Sequence, residues 1–327
     1  MKEKIPFSKD VLILNDPGEI VNKICDRIRE DIYKKLRRSG GVIGISGGID
    51  SSVTYALSVK ALGPDKVLGV MLPEKDSSKD SEKLAQKLSD QYKTRVIKED
   101  ITSALDGFET YKRRDEAVSR IFPDYDPEKH KMKIGIKKSG LLNNLPPLFS
   151  LILIDEEGNE HEKRMGPEEY RQIVAASNFK QRTRMSFLYY HAELNNYAVI
   201  GTPNKHERDQ GFFVKHGDGA ADLMPISNLY KSQVYQIGEY LGVPGEIMQR
   251  TPTTDTYTAE QTQEDFFFQL PFEELDLYWF GFENGYSPEE VGKLMNESAK
   301  NVEAIFRNFK RKIQSTEYLR MSPIDNY

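Results

Sequence analysis

Residues 46–52, Ser-Gly-Gly-Ile-Asp-Ser-Ser, place three hydroxyls, two glycines and one carboxylate between an apolar run and a helix-like run. The first turn of a helix leaves its amide N–H groups unpaired and carries partial positive charge, so it attracts anions. Gly47 and Gly48 allow a tight turn and a close approach to a ligand, with no Cβ in the way. Ser46, Ser51 and Ser52 add hydroxyl donors, and the result is a cradle sized for phosphate. The lysine that an NTPase P-loop needs after its second glycine is missing. Asp50 offers a substitute, because a carboxylate beside phosphates is tolerable when it holds Mg²⁺ between them. The alternative is a glycine-serine turn that binds nothing. GDGAAD at 217–222 lacks the third glycine of a dinucleotide fingerprint.

The flanking elements must hold that turn at a strand end. GVIGI (41–45) reads as a buried strand and 51–62 as the helix after it. VLGVML (67–72), RVIKEDI (95–101) and YAVIGT (197–202) read as further strands, with helices over 81–92 and 178–194. Alternating strands and helices predict an α/β, doubly wound, mostly parallel sheet covered on both faces. Ligands of such sheets bind at the carboxyl ends of the strands. Asp16, Pro17 and Glu19 predict a helix start, followed by an apolar stripe through Ile20, Ile24, Ile28, Ile32 and Leu36. Residues 103–177 read as an irregular segment, taken as a small inserted subdomain, containing KSGLLNNLPP (138–147), a hairpin closing at Glu157-Gly158-Asn159 and a helical tail PEEYRQIVAAS. Residues 251–265, rich in threonine, read as a mobile loop. Ser287 to Glu290 form a capping box that opens a C-terminal helical part over 280–327. The whole chain is read as a single domain carrying the insertion.

Hydrophobic residues make up 38% and charged residues 30% of 327, with a net charge of −5. That balance, with only short basic runs, excludes a nucleic-acid-binding domain. No apolar run approaches the ~20 residues of a membrane span. The N-terminal residues lack a secretory pattern, and Cys25 stands alone, so a reducing cytoplasm is expected.

The SGGIDSS turn resembles the pyrophosphate-binding loop of the ATP pyrophosphatase superfamily, whose sheet is of the adenine nucleotide alpha hydrolase type. Those enzymes place AMP on a substrate oxygen, and a nitrogen or sulfur nucleophile displaces it. One cysteine argues against the sulfur-transferring branch. Residues 178–192, 199–244, 252–257 and 314–324 are similar to the ammonia-dependent NAD synthase family, with the 199–244 block the most specific. The resemblance implies ATP, Mg²⁺, ammonia and a carboxylate acceptor, deamido-NAD, and a homodimer. The nitrogen is expected as free ammonia or from a separate glutaminase partner.

By that resemblance Gly44, Ser46, Gly47, Gly48, Asp50, Ser51 and Ser52 bind ATP, together with Arg182, Thr202, Lys231 and Thr253. Asp50 and Glu207 complete a magnesium site, unless Glu207 is only a solvated acid. Lys231 stabilises charge on the phosphates. Asp218 positions the ammonia or takes its proton. Arg184, Lys215, His216 and Asp222 are expected on the substrate. Either arginine could instead be a surface ion-pair partner, His216 could merely fill space, and Asp222 could be a capping group. The segment 103–177 is about fifty residues longer than the resemblance leads one to expect. Gln181, Thr254, Thr256 and Leu319 depart from the usual residues, all toward the acceptor side. Three readings follow: NAD synthase, a related ligase for another acid, and a non-catalytic nucleotide-binding protein.

Overall fold

A computed structural model describes residues 5–136, 148–253 and 256–325. The stretch 138–147 and Thr254 therefore lie outside the described residues. The chain enters through helix α1 (Pro17–Arg29), where Asp16 accepts the Glu19 N–H at 2.9 Å and Pro17 supplies a first position that needs no donor. A wider π-type turn (Glu30–Lys35) carries the helix on to Leu36.

Strand β1 (Gly41–Gly44) leads through the cradle into α2 (Ile49–Leu62). Then come β2 (Val67–Met71), α3 (Lys79–Tyr92) and β3 (Arg95–Lys98). After α4 (Thr102–Gly107) and α5 (Thr110–Ile121) the chain builds an antiparallel sheet of β4 (Lys131–Ile136), β5 (Phe149–Ile154) and β6 (Glu160–Arg164), in that spatial order. The long helix α6 (Pro167–Asn195) returns to the main sheet at the short β7 (Ala198–Val199). The main sheet is parallel throughout, in the order β3-β2-β1-β7. Its two faces are covered as the alternation predicts: Val21, Ile28 and Val53 on one side, Leu105, Met185 and Leu188 on the other.

Two expectations change in detail. The helical tail of the insertion and the arginine-bearing helix are one 29-residue helix, α6, because no glycine or proline interrupts 168–195. The threonine-rich loop docks on the inserted sheet. Ala259 N donates to Met132 O at 3.1 Å, Gln261 Nε2 to Ile134 O at 2.6 Å, and Tyr257 enters the core of the insertion. The hairpin at 157–159 forms as read, but β4 adds a third strand that its mixed polar pattern concealed.

The insertion is fastened to the main sheet by buried ions. Glu74 and Asp76 follow β2. Lys180 on α6 reaches both at 2.8 Å, and Arg114 on α5 reaches Asp76 at 2.7 Å. Tyr111 OH donates to the other Glu74 oxygen at 2.8 Å. Burial alone would push the Asp76 carboxyl up, but Lys180 and Arg114 outweigh it and hold the group below the usual carboxylate range.

The remaining elements are α7 (Lys205–Gln210), α8 (Lys231–Leu241), α9 (Gly245–Met248), α10 (Phe272–Glu283), α11 (Pro288–Met295), α12 (Ala299–Ser315) and α13 (Glu317–Arg320). Ser287 and Glu290 make the expected capping box. Helices α10 to α12 share an aromatic core of Phe268, Phe272, Trp279 and Phe309.

Candidate active site

The cradle is built by its own hydroxyls. Ser51 Oγ and Ser52 Oγ donate to Gly48 O at 3.0 and 2.9 Å, and Ser46 Oγ accepts the Gly48 N–H at 3.3 Å. No side chain caps the N-terminus of α2, so its first amides face outward for an anion. Gly47 has φ +73°, and a Cβ there would stand 2.9 Å from Ser81 O. Both the positive φ and the contact require glycine.

Asp50, in the first turn of α2, forms an ion pair with Lys231 Nζ at the start of α8 and accepts Asn204 Nδ2 at 3.3 Å. Asn204 also caps α7: it accepts the Glu207 N–H at 3.1 Å while Glu207 Oε2 accepts the Asn204 N–H at 3.0 Å. Gln263 Nε2 donates to the other Glu207 oxygen at 3.3 Å. Burial, and then the Asp50 charge, push the Glu207 carboxyl up to about 8. Burial would lower the Lys231 ammonium, but Asp50 and Glu207 reverse this and raise it. The group is short of positive charge, and a cation or a cationic ligand shell would relieve it.

Asp218 accepts the Val214 N–H at 2.8 Å. Burial pushes its carboxyl up to about 6, against the pull of backbone N–H groups and Arg184. The residue two before it, His216, has φ +61°, a conformation that non-glycine residues adopt at a cost. Arg184 Nε donates to Leu72 O and Arg182 Nε to Lys215 O, both at 3.2 Å. Lys215 Nζ donates to Tyr318 O at 2.8 Å.

These groups surround one cavity of about 700 Å³ at the carboxyl ends of β1 and β2. Of the residues singled out from sequence, Gly44, Ser46, Gly48, Asp50, Ser51, Arg182, Arg184, Thr202, Glu207, Lys215, His216, Asp218 and Thr253 line it. Four do not. Gly47 shapes the turn. Ser52 is fully buried, with its hydroxyl on Gly48 O. Lys231 is buried behind Asp50. Asp222 holds backbone instead: its carboxylate accepts the Val199 N–H of β7 at 2.8 Å and the Tyr189 hydroxyl at 3.1 Å, and it does not line the cavity.

Gln181, Thr256 and Leu319, three of the departures noted from sequence, line the cavity. The hairpin residues 148–165 contribute nothing to the wall; the insertion reaches it through Tyr170, Val174 and Ser177 of α6.

Several participants carry no local signal. Arg250 and Lys180 line the cavity. Asp276, fully buried on α10, accepts Lys231 N at 3.2 Å and Ser232 N at 2.7 Å and pairs with His206, the neighbour of Glu207. One carboxylate thereby fixes the start of α8 against α7. Only a pattern of one buried acid among aromatics, LDLYWF, hints at it in the sequence.

The NAD synthase family model matches residues 20–145 and 125–323 of this chain. The NH₃-dependent NAD⁺ synthetase of Rhizobium meliloti (strain 1021) is 43% identical over 323 residues, covering 98% of this chain and 95% of its own length. Among solved structures, an NMN synthetase from Francisella tularensis is 25% identical with a TM-score of 0.65, covering 95% of this chain and 99% of that one. An NH₃-dependent NAD synthetase from Campylobacter jejuni, 22% identical with a TM-score of 0.61 over 95% of this chain and 100% of its own, shares the fold.

Proposed function

Because this chain belongs to the NAD synthase family, we propose that it amidates deamido-NAD with ATP and free ammonia, forming NAD⁺, AMP and pyrophosphate. It is an ATP-dependent carbon–nitrogen ligase of the NAD synthase type. The observation that carries the reading is convergence: stretches 46–51, 202–207, 215–218 and 250–253 meet around one cavity that opens at an uncapped helix start.

In the first step an acceptor carboxylate oxygen bonds to the α-phosphorus, and the bond from that phosphorus to the β-phosphate oxygen breaks. The uncapped first-turn amides of α2, with the Ser46 and Ser51 hydroxyls beside them, receive the departing charge. Lys231, held against Asp50, sets the positive potential behind it. In the second step ammonia nitrogen bonds to the acyl carbon and AMP leaves with the bridging oxygen. Asp218, ionised above about pH 6, is placed to take the proton that the nitrogen sheds.

Asp50 and Glu207 would hold Mg²⁺. Their fit rests on the donor set: both carboxylates line the cavity and both hydrogen-bond to Asn204, and two acids so placed favour a divalent cation between them. Among the described residues no cluster of three or more acidic, histidine or cysteine groups forms a metal site, so phosphate and water would complete the shell. When bound, the ion would neutralise charge on the phosphates.

A homodimer is part of the same family-based proposal, and the lone, buried Cys25 supports a reducing, cytoplasmic setting within it. No described helix is long and apolar enough to cross a membrane. The deciding experiment incubates the protein with ATP, Mg²⁺ and ammonia and follows AMP. AMP and NAD⁺ that require deamido-NAD support the proposal. Turnover with a deamidated mononucleotide instead moves the acceptor toward the substrate class suggested by the NMN synthetase neighbour. Absence of turnover with both defeats it.

A further inference from the structure

The cradle lacks a lysine of its own, and Lys231 is engaged by Asp50. The other cation at the turn is Arg250, just beyond α9. Its Nη2 donates to Ser81 Oγ at 3.0 Å and its Nη1 to Ser46 O at 3.5 Å. The same Nη1 lies 3.4 Å from where a Cβ on Gly47 would stand. Among the described residues no carboxylate pairs with it. Arg250 lines the main cavity and also a second one of about 240 Å³, whose wall includes Ser78, Lys131 and Thr253. The guanidinium therefore stands between two open spaces, hydrogen-bonded to neutral oxygens and with N–H groups to spare.

We infer that Arg250 is a pyrophosphate ligand, the cation that meets the β- and γ-phosphates on the outer side of the cradle and stays with them as the leaving group departs. The inference rests on the phosphate-cradle reading given above and adds a residue to it. A planar guanidinium can present two parallel N–H donors to one phosphate, which an ammonium cannot. Anchoring by Ser81 pre-orders the side chain, so little rotamer freedom remains to be lost on binding. Arg250 precedes Thr253 by three residues, and the bridge between Thr253 and Thr262 ties this segment to the loop docked on β4. The inserted sheet thus braces the strip of chain that carries the arginine.

Calorimetric titration of inorganic pyrophosphate with Mg²⁺, and separately of AMP, tests this on the wild-type protein, Arg250→Gln and Arg250→Lys. Loss of a charge-assisted pair predicts pyrophosphate binding weaker by about 10- to 100-fold in Arg250→Gln. AMP affinity is expected to stay unchanged, and Arg250→Lys to recover part of the loss. Equal pyrophosphate affinity in wild type and Arg250→Gln overturns the inference, as does a parallel loss of AMP, which would mark Arg250 as a wall residue. Failure of the wild type to bind either molecule would sink the phosphate-cradle reading itself.

Discussion

Two groups of buried ions sit on neighbouring strand ends and behave in opposite ways. In the docking group, Glu74, Asp76 and Asp115 face Lys180 and Arg114, and the Asp76 carboxyl is held below its usual range. In the cavity group, Asp50 and Glu207 share the single cation Lys231, and the Glu207 carboxyl is pushed up to about 8. Burial opposes charge in both. What differs is the supply of partners. The first group is complete as folded and serves to hold the insertion on the sheet. The second is left short of positive charge, which the proposed Mg²⁺ ion would supply. In these two groups the direction of the carboxylate shift follows the supply of cationic partners.

The largest effect is expected from breaking the fastening. Lys180→Met leaves Glu74 and Asp76 facing each other without their shared cation. Removing one partner of a buried ion group costs about 3–5 kcal/mol, so the urea midpoint should fall steeply. Nearly as large, but on catalysis, is Lys231→Met. AMP formation should drop by about 10²- to 10³-fold, as when one preorganised charge-stabilising group is deleted. Lys231 is also a partner in a buried ion group, so the distinction is read from AMP formation on folded protein: a loss in Lys180→Met as large as that in Lys231→Met would erase it.

The two groups also differ in how far the sequence reveals them. Ser46 to Ser52 are contiguous, so their types and spacing are enough to define a cradle at a strand end. Glu207, Asp218 and Thr253 could be placed only through the family resemblance, because the fold brings them in from far along the chain. Arg114 belongs to a short basic run, KRR at 112–114, that reads as a solvated helix end, and Lys180 and Arg250 carry no local signal. Each reads as an ordinary charge on a polar helix or loop, and its partner lies 38 to 204 residues away. The docked state of 251–265 was hidden for a similar reason. Its anchors are the backbone groups of Met132 and Ile134, which no side-chain pattern announces. Asp222 shares a motif with Asp218, yet its carboxylate holds the backbone of β7 and does not line the cavity.

A third prediction separates the groups by pH. Glu207 and Asp218 have folded values near 8 and 6, above their ordinary ones of 4.5 and 3.8. The stability each contributes is fully present below its unfolded value and is lost as pH rises through the folded value. Without ligands, the melting temperature should therefore decline from about pH 5 to pH 9. Glu207→Gln should flatten the upper part of that decline and leave the part near pH 6. The docking group has the opposite sign: Asp76 contributes stability above its unfolded value, lost as pH falls through its lowered folded one. A melting profile flat through the neutral and alkaline range would contradict the shortage of positive charge assigned to the cavity group.

The smallest effect should come from Asp276, which belongs to neither group but sets the geometry of one. Its carboxylate accepts Lys231 N, Ser232 N and His206, and so fastens α7 and α8 to the aromatic core of the C-terminal helices. Asp276→Asn keeps the shape but turns one acceptor into a donor. That amide would either face the Ser232 N–H or give up His206. A mismatch at one buried hydrogen bond costs about 1–3 kcal/mol. Because Lys231 and Glu207 ride on the two elements, the variant should also need more Mg²⁺ for half-maximal nucleotide binding, read by calorimetry. Lys180 lines the same cavity, but its ions touch neither α7 nor α8, so Lys180→Met should shift that requirement less than Asp276→Asn does. If Asp276→Asn lowered the melting temperature with no change in the Mg²⁺ requirement, Asp276 would be a packing residue, and the alignment of the cavity group would have to come from Asn204 and the cradle alone.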